Sequence, residues 1–71
     1  MENALRDLQR AVELEPDNVN HHLELGRTYR MTRNVAEARR ELEQAIALPP
    51  TSSARDARYQ AEAEGLLQKI H

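Results

Sequence analysis

Three histidines, His21, His22 and His71, are the residues of this sequence that could hold a metal ion or move a proton near neutral pH. Helix neighbours point about 100° apart, so adjacent His21 and His22 cannot both face one ion as an i, i+4 pair would. His71 sits at a fraying helix end. The chain has no Cys, which removes thiolate metal sites and disulfides. No Ser and His are placed to share a pocket as nucleophile and base. The pairs Glu13 and Glu15, and Glu62 and Glu64, are two apart on helices, point to different sides and read as solvation. The expectation is a non-catalytic protein with no metal and no cofactor.

A second constellation is basic. Arg27, Arg30 and Arg33 recur every three residues along one segment, and Arg39 and Arg40 follow on the next. Guanidinium groups are forked donors suited to carboxylates and phosphates. Glu24, Glu37, Glu41 and Glu43 lie among them, so the same residues also fit a solvated face with partial counter-charges. Binding of an acidic or carboxylate-bearing peptide is the sharper expectation. Nucleic-acid binding through Arg27, Arg30 and Arg33 is the alternative, opposed by a net charge of -2 and the lack of aromatic platforms.

The elements that must position these groups are helices. Apolar residues fall at spacings of three and four in four segments bounded by Pro, Asn, Asp or Ser, and no segment alternates with the period of a strand. The periodicity predicts an all-α fold with helices at about 2–14, 19–32, 35–48 and 53–70. Pro16 ends the first and Pro49-Pro50 the third. Asp17 and Asn18 offer N-caps to the second, and Asn34 with Glu37 makes a capping-box-like start to the third. Links of two to five residues favour antiparallel neighbours. Ten of the apolar residues are Ala, with no Phe or Trp, so the core must be thin and its helices close. No apolar run approaches a membrane span and no secretory pattern opens the chain, so the default location is cytoplasmic.

The sequence also repeats itself. Shifted by 34 residues, Ala4 falls on Ala38, Arg6 on Arg40, Leu8 on Leu42, Ala11 on Ala45, Leu14 on Leu48 and Pro16 on Pro50. That period, with His22, Leu25-Gly26, Tyr29, Ala38, Leu42, Ala45 and Pro50, resembles the tetratricopeptide repeat, with His22 where the family has an aromatic and Arg33 near the place of its inter-helix Gly. The resemblance implies a short α-solenoid of antiparallel helix pairs in one domain, 1–71. Residues 1–16 would be the second helix of a repeat, 19–50 one full repeat and 53–71 a capping helix. It implies His22 in the core with His21 exposed.

It also implies a protein–protein interaction module. Its concave groove would be lined by Asn20, Leu23, Arg27, Arg30 and Met31, with Leu23 standing where the carboxylate-clamp subgroup has Lys. The first helix lacks a partner on its Leu5, Leu8 and Val12 side. Either the chain is cut from a longer array, or it self-associates through that edge as a homo-oligomer. Gly26 sits mid-helix at a propensity cost of roughly 1 kcal/mol. Its expected compensation is a close approach of the second and third helices near Ala38 and Ala45.

Overall fold

A computed structural model describes residues 2–49 and 54–70. Pro50, Ser53 and His71, on which parts of the sequence reading fall, lie outside the described residues. Four helices follow in order: α1 (Glu2–Leu14), α2 (Val19–Met31), α3 (Val35–Ala47) and α4 (Ala54–Gln68). The described residues form no strand, so the all-α expectation holds, with helix ends within one or two residues of those read from periodicity. The described residues form four packed helices.

Local chemistry sets the boundaries. The Asn18 side-chain oxygen accepts from the His21 amide at 3.1 Å and caps α2. At the other end of α2, the Arg33 amide donates to the Arg30 carbonyl and the Asn34 amide to the Tyr29 carbonyl, the paired bonds of a Schellman motif. Such a turn places one residue in the left-handed region, and here Arg33 occupies it at φ 67°. The capping box expected at Asn34 does not form: its amide nitrogen donates to Thr32 Oγ1 at 2.9 Å, and its side chain makes no cap bond to α3. Leu48 leaves the helical region at ψ 143° because Pro49 follows it.

The core lies where α2, α3 and α4 meet. Val19, Leu23, Leu42, Ala45 and Ala63 are enclosed there, with Ile46, Leu48, Tyr59, Leu66, Leu67 and Ile70 packed around them. The small residues let the layers close to Cα extents of 33 × 28 × 14 Å, a slab two helices thick. Gly26 is part of that closeness. A Cβ there would lie 2.8 Å from both Cγ and Cδ2 of Leu42 and 3.4 Å from the Ala38 carbonyl oxygen. The close approach near Ala38 is as expected, through its backbone, and the nearest side chain is Leu42, whose isobutyl group fills the notch. Gln60 ties α4 to the end of α3 by donating to the carbonyls of Ala45 at 3.2 Å and Leu48 at 3.0 Å.

Among the described residues α1 packs on α2 alone, whereas α2 touches all three other helices. Gln9 Nε2 donates to the Tyr29 hydroxyl at 2.8 Å across that contact. The internal repeat shows what α1 is missing. Ala38, Leu42 and Ala45 of α3 are all enclosed, while their counterparts Ala4, Leu8 and Ala11 are exposed or half-buried.

Candidate functional site

His22 is buried, with both ring nitrogens in use. Nε2 lies 2.7 Å from the Pro16 carbonyl oxygen, which can only accept, so Nε2 carries a proton. Nδ1 lies 2.9 Å from Glu41 Oε1, and a proton must sit between them because two lone pairs cannot face each other at that distance. His22 therefore pins the α1–α2 link and α3 to α2, a structural duty that leaves no nitrogen for a ligand. His21, expected exposed, is half-buried and meets Glu15 Oε1 at 2.9 Å. Among the described residues no group of three His, Cys, Asp or Glu side chains gathers around a common point.

The five positions expected to line a groove separate in the fold. Leu23 is fully enclosed and belongs to the core, because the face of α2 that carries it is covered by neighbouring helices. It is corrected from a partner contact to a packing residue. Asn20 is half-buried and borders an open recess of about 350 Å³ with Asn18, Arg55, Asp56 and Tyr59. Arg27 is exposed but lies near two carboxylates, Glu24 Oε1 at 3.4 Å and Glu62 Oε1 of α4 at 3.9 Å. Arg30 and Met31 are exposed, Met31 at 70%. Leu5, Leu8 and Val12, expected to self-associate, are half-buried on α1.

Two features escaped the sequence reading. Val35 is 42% exposed, so the start of α3 adds an apolar side chain beside Arg30, Met31 and Arg33 at the α2–α3 turn. The other is a recess of about 430 Å³ at the far end of α2, lined by Leu14, Glu15, Pro16, Asp17, Asn18, Val19 and Asp56. Its acidic wall joins residues from α1, the link and α4. Only the tertiary fold brings Asp56 there, and no local spacing could have signalled it. Leu14 carried a signal, since it lies off the α1 stripe formed by Leu5, Leu8 and Val12.

The family model described as regulator of microtubule dynamics protein 1-3 matches residues 1–71. No curated protein and no solved structure matches the chain. The family match overturns the tetratricopeptide-repeat resemblance. Leu25, Ala38, Leu42 and Ala45 are buried and Gly26 sits against Leu42 and Ala38, so these residues of the pattern serve helix packing, which does not by itself fix the family. No helix among the described residues is long and apolar enough to cross a membrane.

Proposed function

We propose a function from one premise: the chain belongs to the regulator of microtubule dynamics protein 1-3 family. It acts as a non-catalytic protein-interaction module in microtubule regulation, and the match over residues 1–71 is the observation that carries this reading. The partner-facing surface is the exposed side of α2, with Asn20, Arg27, Arg30 and Met31 as its contacts. What supports it is the fold's division of labour. Val19, His22, Leu23, Leu25 and Gly26 are enclosed by packing, while Arg27, Arg30 and Met31 are exposed and Asn20 is half-buried, so these four are the α2 side chains of the expected set that remain open to a partner.

The test is microtubule assembly and shrinkage followed by light scattering with the purified chain added. The wild-type chain should change the rates, and Arg27→Glu plus Arg30→Glu should abolish the change while the helical circular-dichroism signal shows the chain still folded at the assay temperature. No effect of the wild-type chain at any concentration would sink the reading.

A second reading has its own observation. Because α1 packs on α2 alone and leaves Leu5, Leu8 and Val12 half-exposed, a second copy could cover that edge. Light scattering coupled to gel filtration decides it: a mass that stays at 8.2 kDa over all concentrations excludes it, and a larger mass that Leu8→Arg returns to that value supports it.

A further inference from the structure

We infer that the corner between α2 and α3 is a docking site for an acidic protein segment carrying apolar side chains among its carboxylates. This names the partner chemistry of the α2 surface and rests on the reading above. Arg30 and Arg33 are exposed, and among the described residues neither has a carboxylate within ion-pair distance, whereas Arg27 lies beside Glu24 and Glu62. Between and beside them stand Met31 and Val35, two of the three large apolar side chains that the described residues expose. Arg39 lies one turn beyond Val35 on the same flank of α3 and extends the positive charge. The corner therefore offers unneutralised forked donors and apolar contact within a few residues of chain.

Arg33 adds an independent observation. It holds a left-handed backbone, φ 67°, where Gly or Asn would be less strained. Arg33 is exposed at the tip of the turn, where its side chain is open to a partner. Glu37, exposed in the first turn of α3, is an acidic side chain of the same corner, and it makes no ion pair with Arg30, Arg33 or Arg39 among the described residues. Glu15, Asp17 and Asp56 line the recess at the opposite end of α2, roughly 18 Å away along its 13 residues. With Arg30, Arg33 and Arg39 against Glu37, an approaching acidic segment meets a corner with a positive balance although the whole chain carries a net charge of -2. A nucleic acid fits less well. Tyr29 is half-buried with its hydroxyl bonded to Gln9, and Tyr59 belongs to a recess at the other end, so no aromatic ring faces the corner.

The experiment titrates the isotope-labelled full chain with a synthetic peptide of Glu-Glu-Leu repeats, and in parallel with Gln-Gln-Leu repeats, Glu-Glu-Ser repeats and a single-stranded RNA of equal charge. The expected result is amide shifts concentrated in residues 27–39, with the Glu-Glu-Leu peptide binding at least about tenfold tighter than the other three near physiological salt. Arg30→Glu plus Arg33→Glu should weaken it about tenfold or more with unchanged thermal unfolding. Arg33→Gly, which relieves the backbone, should weaken binding while raising stability, so lost folding cannot explain the loss. Equal binding of the Gln peptide, tighter binding of RNA, shifts centred on the Leu14 recess, or no shift at millimolar peptide would overturn the inference. A chain that binds the peptide at the corner yet leaves microtubule assembly untouched refutes the functional reading alone. Conversely, Arg30→Glu plus Arg33→Glu that still alters assembly refutes the corner and leaves the functional reading standing.

Discussion

Replacing Gly26 by Ala sets two effects of opposite sign against each other. Helix propensity favours Ala by about 1 kcal/mol in a helix interior. Packing opposes it: the new methyl carbon would sit 2.8 Å from Leu42 Cγ and Cδ2, where real contacts begin near 3.4 Å. Cγ is a branch point that cannot swing aside alone, and Leu42 is wholly enclosed, so no empty space receives it. Overpacking of this kind costs about 1–3 kcal/mol, and the doubled contact places it at the upper end, leaving a net loss of about 2 kcal/mol. For a 71-residue chain that lowers Tm by about 8–16 °C. Gly65 supplies the control. It is exposed in α4 and a Cβ there would meet nothing within 4 Å, so Gly65→Ala should gain the propensity term of about 1 kcal/mol and raise Tm. Combining Gly26→Ala with Leu42→Ala should cost about 3 kcal/mol less than the sum of the two, because the whole overpacking term disappears with the Leu42 side chain. Calorimetry or urea unfolding reads all four variants. If Gly26→Ala melts at or above wild type, the close approach of α2 and α3 is wrong.

The remaining predictions concern the turn, the cap and the buried pair. Arg33→Gly should stabilise by about 1 kcal/mol, because it removes the steric cost of φ 67°, and an unchanged or lower Tm would contradict that turn geometry. Asn18→Ala should destabilise by about 1 kcal/mol through loss of the bond to the His21 amide, read as a shift in the urea midpoint with unchanged slope. His22→Leu should cost about 3 kcal/mol, since it strands Glu41, 15% exposed, and the Pro16 carbonyl; adding Glu41→Leu should recover part of that loss, whereas simple additivity would show that the two side chains do not interact.

Most of the fold was legible because its signals are local. The Leu5, Leu8 and Val12 stripe, Pro16, Asn18 and Pro49 each act on the few residues beside them, and each helix forms where they place it. Gly26 was legible as a close approach near Ala38, but its nearest side chain was not: Leu42 and Ala45 lie on the same face of α3, and only packing decides which one fills the notch. Asn34 was misread as a cap because its side chain had a nearer partner in Thr32. Leu23 was misplaced because a groove position inferred from a family resemblance replaced the plain inference that a Leu four residues after Val19 and three before Gly26 shares their buried stripe. The corner was half legible. Arg30 and Arg33 stood out by spacing, but that carboxylates approach Arg27 and not these two, and that Val35 remains exposed, are facts of tertiary structure.

Sedimentation of the purified chain with preassembled microtubules tests the central claim most directly. The account predicts saturable co-pelleting that weakens as salt rises, is lost in Arg30→Glu plus Arg33→Glu, and is retained in Leu14→Ser, which alters only the opposite end of the molecule. A chain that stays in the supernatant at every concentration, or a pellet that the charge reversals leave unchanged while Leu14→Ser empties it, would contradict the account.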